Sequence, residues 1–217
     1  EKPALLYLAN PDNPMGSWWP AEAMTQFIGA LPPETLLILD EAYVETAPEG
    51  TAPPIDVSNP QVVHYRTFSK AYGLAGARIG YAIGESSVIE AFDKVRNHYG
   101  INRVGQIGAL AAIRDQAYLR DAVGAIAAAR ERIAAIASAN NLSPLPSAAN
   151  FVAIDCGRDA AFAEHVLKAL LDRDVFVRKP VAKGIDHCIR VSCGRDEDLD
   201  VFAKALPAAI EDARRLS

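Results

Sequence analysis

Lys70 stands inside Tyr65-Arg66-Thr67-Phe68-Ser69-Lys70-Ala71-Tyr72-Gly73-Leu74-Ala75-Gly76-Ala77-Arg78. This stretch gathers one amine, two hydroxyls at Thr67 and Ser69, small residues at Gly73, Ala75 and Gly76, and a guanidinium at Arg78. Such a set can hold a phosphate while presenting an amine. Ahead of it, Gln61-Val62-Val63-His64-Tyr65 reads as a short buried strand. Lys70 therefore falls in the turn beyond that strand's carboxyl end, the edge at which open α/β sheets bind ligands. A lysine in a loop is ordinarily a solvated surface charge, and only these neighbours single this one out.

Two more strand ends carry polar groups of the same promise. Ala4 to Ala9 is a continuous apolar run, the pattern of a strand buried on both faces of a parallel sheet. It opens into Asn10-Pro11-Asp12-Asn13-Pro14-Met15-Gly16, where proline and asparagine alone would account for a connecting turn. Leu36-Leu37-Ile38-Leu39 is a second apolar strand and delivers Asp40, Glu41 and Tyr43 at its end. A carboxylate directly after four buried residues is costly unless paired or solvated. Asp40 either caps the next segment or takes part in chemistry.

The elements that must position these groups follow in order. Pro20 to Leu31 has helical spacing with proline at its start. Val44 to Pro60 reads as a surface loop, and Arg78 to Gly84 as an antiparallel return strand. Helices are expected from Ser86 to Arg96, opened by Ser86 or Ser87 as cap, and from Val104 to Arg114. Tyr118 to Asn140 is Ala-rich, yet Val123, Ile126, Ile133 and Ile136 keep helical spacing, which predicts one long helix. Beyond it come strands at Asn150–Asp155, Val175–Arg178 and Cys188–Ser192, with helices at Ala160–Asp172 and Asp196–Leu216. The division expected is a partial large domain over 1–117, a connecting helix over 118–140 and a small α/β domain over 141–217.

Composition narrows the function classes. The 217 residues are 50% hydrophobic, enough for a sizeable core, and 22 basic against 27 acidic residues leave a net charge of −5. A nucleic-acid binder is usually basic in patch and in sum, and a membrane helix needs about 20 apolar residues in a row. Neither pattern is present in the sequence, and a cytoplasmic location is expected. Cys156, Cys188 and Cys193 match no common zinc spacing, and the four histidines form no ligand cluster, so the thiols read as reduced residues in or near the core and no metal is expected.

Taken together, the motifs resemble fold-type I pyridoxal-phosphate (PLP) enzymes. Asn-Pro-Asp-Asn-Pro-Met-Gly is similar to the Asn-Pro-x-Asn-Pro-x-Gly signature of class I/II aminotransferases. Asp-Glu-Ala-Tyr and Ser-Lys-Ala-Tyr-Gly-Leu-Ala-Gly-Ala-Arg resemble the histidinol-phosphate aminotransferase branch. The resemblance implies the PLP-dependent transferase fold, a mostly parallel α/β sheet with a small C-terminal α/β domain. It makes Lys70 the imine-forming residue, puts Asp40 on the pyridinium nitrogen, Asn13 and Tyr43 on the ring oxygen, and Thr67, Ser69 and Arg78 on the phosphate. His187 to Gly194 is similar to the family's last strand, so Arg190 would grip the substrate carboxylate, with Arg178 and Lys179 as weaker candidates for a distal group. Trp18 and Trp19 stand where the family has smaller residues; they either reshape the substrate wall or only pack. Glu41 has no family role and reads as structural.

The resemblance begins in the middle of the family's pattern, and a truncated chain is expected, lacking a glycine-rich phosphate segment, a ring-stacking aromatic and part of a dimer contact. The activity implied is amino transfer between an amino acid, histidinol phosphate or similar, and a 2-oxo acid, in a homodimer. A PLP decarboxylase of a phosphorylated amino acid shares nearly all these residues. An inert fragment or a regulatory module of the same fold remains the non-catalytic alternative.

Overall fold

The computed structural model describes residues 3–216; Glu1, Lys2 and Ser217, the outer ends of the expected domains, lie outside the described residues. The contacts divide the chain into two units, residues 3–12 with 17–123 and residues 13–16 with 124–216.

The first unit is built on four strands, β1 (Leu5–Ala9), β2 (Leu36–Asp40), β3 (Val62–Thr67) and β4 (Gly80–Ile83), in that spatial order. β1, β2 and β3 are parallel, and β4 returns antiparallel to β3 as expected. The register sets Ala9 beside Asp40 and Asp40 beside Tyr65, so the polar turns leave the sheet at one level. Helix α1 (Ala21–Gly29) starts behind Pro20, and its Met24 packs with Leu31, Leu37, Leu39 and Val62. β1 is not buried on both faces. Leu5 is 58% and Tyr7 64% exposed, because among the described residues only the Leu6 and Leu8 side of the strand packs on a core, that of α1.

Helices α2 (Ser86–Asp93) and α3 (Arg103–Arg114) follow in this unit. α2 is capped not by a serine but by Glu85, whose carboxylate accepts from the Ser87 and Val88 amides at 2.9 and 3.3 Å. Asn102 caps α3 by accepting from the Gly105 amide at 2.7 Å.

Helix α4 (Gln116–Ala139) forms as the apolar spacing predicts, and its last turns lie in the second unit. There β5 (Ser143–Pro144), β6 (Phe151–Asp155) and β7 (Cys188–Ser192) form an antiparallel sheet. Helices α5 (Ala160–Leu171) and α6 (Asp196–Arg215) complete the unit. Ile133 of α4 joins Ile154, Phe162, Val166, Leu170, Ile189 and Leu206 in the core. The strand expected at Val175–Arg178 shrinks to one antiparallel bridge between Arg178 and Arg190. Ahead of that bridge, Asp174 is left-handed with φ 60°, and the Val175 amide donates to the Leu170 carbonyl at 3.0 Å, so the start of the segment closes the end of the preceding helix instead of a strand ladder.

Among the described residues no helix is long and apolar enough to cross a membrane. The three cysteines are free, and burial pushes the Cys156 and Cys193 thiols up to about 12 and about 11, far from reactive thiolates. Among the described residues, no three His, Cys, Asp or Glu side chains gather as a metal site.

Candidate active site

Lys70 is held by the residues on either side of it. Phe68 and Tyr72 are both buried, with ring centroids 5.0 Å apart, and they enter a small core with Ile79 and Ala109. Backbone bonds from Leu74 to Phe68 and from Gly73 to Lys70, each 2.9 Å, close the turn. Anchors two residues before and two residues after leave the lysine between them free to turn the other way. Its Nζ sits 4.9 Å from the centre of the buried Tyr43 ring.

This lysine lines a cavity of about 550 Å³ together with Asp40, Tyr65, Thr67, Ser69, Arg78 and Tyr81. Thr67 Oγ1 donates to Ser69 Oγ at 2.9 Å and accepts from the Ser69 amide at 3.0 Å, which folds the two hydroxyls into one cluster. Arg78 closes the wall. Its backbone is left-handed, φ 53° and ψ 50°, a conformation that costs an arginine about 1–2 kcal/mol, and its Nη1 donates to the Ala75 carbonyl at 2.9 Å. Non-glycine residues held in this region concentrate at ligand sites, where the surroundings over-determine them.

Asp40 has both oxygens occupied. Oδ1 accepts from the Ala42 amide at 2.9 Å, and Oδ2 accepts from the Tyr7 hydroxyl. Part of its cost of burial is thereby offset, and the carboxylate is fixed in plane at the end of β2. Glu41, the next residue, is fully buried. Arg66 Nε donates to its Oε2 at 2.8 Å, and His64 Nδ1 lies 3.3 Å from the same oxygen. Glu41 is thus a structural anchor of the turn that carries Asp40.

The other two expected site residues belong to the second unit. Arg190 Nη1 donates to Asn13 Oδ1, the Arg190 guanidinium lies 4.6 Å from the Phe151 ring centre, and its backbone is bonded in both directions to Arg178. The sheet therefore fixes the arginine's backbone while Phe151 and Asn13 fix its head. The carbonyl of Gly16, at the end of the Asn13 turn, accepts from the Ala148 amide at 2.8 Å. Lys179 pairs with Glu164 at 3.5 Å, and Arg178 lies 5.5 Å from the Phe176 ring. Trp19 is 62% exposed and borders an apolar hollow with Leu8, Met24 and Phe27.

Two polar side chains of the first unit were not singled out from sequence. Asn10 is buried and clamps its loop, accepting from the Trp19 amide at 2.8 Å and donating to the Trp19 carbonyl at 3.1 Å. Tyr7 reads as one more apolar residue in an apolar run, and only the strand register, which sets it beside Ile38, puts it diagonal to Asp40 two residues on.

The chain as a whole is similar to known proteins. The family profile of class I and II aminotransferases matches residues 1–206. Histidinol-phosphate aminotransferase 2 of Pseudomonas aeruginosa is 37% identical over 206 residues, 93% of this chain and 55% of that protein. A second such enzyme, from Ralstonia nicotianae, is 35% identical over 212 residues, 96% of this chain and 57% of that protein. A crystal structure of histidinol-phosphate aminotransferase from Sinorhizobium meliloti in complex with pyridoxal-5'-phosphate superposes with a TM-score of 0.94 at 52% identity, covering 99% of this chain and 58% of that one. The chain belongs to the class I and II aminotransferase family. Its fold is the α/β fold of type I PLP-dependent aminotransferases, of which it spans somewhat more than half the length.

Proposed function

We propose that the cavity beyond β2 and β3 seats PLP, and that the full-length protein is a PLP-dependent aminotransferase moving an amino group between histidinol phosphate, or a similar amino acid, and a 2-oxo acid. One observation carries the reading: Asp40, Lys70, Thr67, Ser69 and Arg78 line the same cavity of about 550 Å³. PLP has a basic ring nitrogen, an aldehyde and a phosphate, and this wall offers a fixed carboxylate, an amine, and a cluster of hydroxyls with a guanidinium. The donor set fits the group.

When bound, PLP supplies the electron sink that accepts the electron pair left on the substrate α-carbon. The chain's own residues do the rest. Lys70 holds the cofactor through its amine and, once released, moves the proton at the substrate α-carbon as base and then acid. Asp40, acceptor-only when ionised, keeps the proton on the ring nitrogen. Tyr43 and Asn13 donate to the ring oxygen, and Thr67, Ser69 and Arg78 bind the phosphate. Arg190 binds the substrate carboxylate with parallel N–H donors; its stacking on Phe151 and its bond to Asn13 support that role by holding the fork in one orientation.

Histidinol phosphate is favoured by the names of the relatives above. The exposed apolar side chains of α3, Val104, Ile107, Leu110 and Ile113, support a homodimer, and a cytoplasmic location suits its small-molecule substrates. The test is a donor panel, histidinol phosphate among it, offered to the full-length protein with PLP and a 2-oxo acid. Keto product from one donor supports the reading and identifies the substrate. Carbon dioxide release without keto product replaces it with decarboxylation.

A further inference from the structure

We propose that Tyr7 is a positioning residue for this site, holding the Asp40 carboxylate in the orientation that meets the cofactor's ring nitrogen; the inference rests on the PLP reading of the cavity. Three observations carry it. Tyr7 and Asp40 lie on neighbouring parallel strands, and the register pairs Tyr7 with Ile38 and Ala9 with Asp40. Side chains two apart on a strand share a face, so the phenol extends along the sheet edge toward the carboxylate. Its hydroxyl donates to Asp40 Oδ2 while the Ala42 amide occupies Oδ1. With one donor on each oxygen, the carboxylate cannot rotate about its χ2 without losing a bond.

The position of Tyr7 also calls for an explanation. It interrupts Leu5-Leu6-Tyr7-Leu8 on the side of β1 that carries no core, and most of its ring is exposed. Among the described residues, the contact that engages its hydroxyl is the bond to Asp40. Partial burial, reinforced by the hydrogen bond and the charge of Asp40, pushes the phenol up to about 12, so it remains a donor throughout the working range of such an enzyme.

The test is a double-mutant cycle on the full-length protein, read by equilibrium dialysis of PLP rather than by turnover. Tyr7→Phe removes only the hydroxyl and is expected to raise the PLP dissociation constant about three- to tenfold, with the melting temperature of the PLP-free protein unchanged. In an Asp40→Ala background the same change is expected to do nothing further, because Tyr7 acts only through Asp40. Equal dissociation constants for wild type and Tyr7→Phe overturn the role of Tyr7 alone, as does a Tyr7→Phe effect that persists in Asp40→Ala. A wild-type protein that takes up no PLP overturns the cofactor reading and this inference with it.

Discussion

Arg190 donates to Asn13 across 177 positions of sequence, so the residue read as the substrate-carboxylate ligand is hydrogen-bonded to the one read as a cofactor ligand. The two roles are then coupled through one bond. Asn13→Ala is expected to raise the KM for the amino donor as well as to weaken PLP, because it releases the Arg190 head. Arg190→Ala should raise KM by about 10- to 100-fold, the loss of a charge-assisted bond of about 1.5–3 kcal/mol. Steady-state kinetics of the two single variants and the double variant check this, with a combined effect smaller than the sum as the expected outcome.

Arg78 separates affinity from stability. Its left-handed backbone favours glycine, so Arg78→Gly relieves local strain while removing the guanidinium from the cavity wall. PLP binding is expected to weaken by about 10- to 100-fold, with a melting temperature at or above that of the wild type. Dialysis and thermal melting on the same preparation decide it.

The turn that carries Asn13 depends on Gly16. A Cβ built there lies 2.2 Å from Ser147 Oγ and 2.9 Å from Ser147 Cβ, and the residue has φ +79°. Gly16→Ala is expected to destabilise the protein by about 1–3 kcal/mol, measured by denaturant unfolding. Pairing it with Ser147→Gly should recover the steric part but not the backbone part.

Glu45 makes stability pH-dependent. Burial holds its carboxyl above the ordinary value of 4.5; Arg66 and its own backbone amide pull it down and Glu41 pushes it further up. The folded state therefore keeps a proton that the unfolded chain releases. Stability from this group is present below about pH 4.5 and is lost as the pH rises through the folded value. Glu45→Gln is expected to flatten that loss, raising the melting temperature at neutral pH and leaving it unchanged near pH 4. Melting curves across pH 4 to 8 test the sign.

Much of the site was legible because its chemistry sits at strand ends. Lys70, Asp40 and Arg78 each follow an apolar run or precede one, and their residue types are those a phosphate-bearing carbonyl cofactor needs. Tyr7 was not legible: within a run of leucines an aromatic residue looks like core, and its partner is 33 positions away. The faces of β1 were no more legible, since an apolar run does not reveal what covers each side of a strand, and among the described residues only the Leu6 and Leu8 side packs on a core. The Val175–Arg178 strand does not form because the left-handed Asp174 and the Val175 amide close the end of α5, a local bond that the β-branched and aromatic residues of the segment do not reveal. Glu85 as the α2 cap shows that an acidic residue one position earlier competes with the serines favoured by cap preference.

The measurement that tests the central claim most directly is the absorbance spectrum of the full-length protein titrated with PLP, for wild type and Lys70→Ala. A band specific to the lysine-bound cofactor that grows to one equivalent in wild type and is absent from Lys70→Ala is the predicted result. Identical spectra for the two proteins, matching free PLP, would contradict the assignment of this cavity and of Lys70.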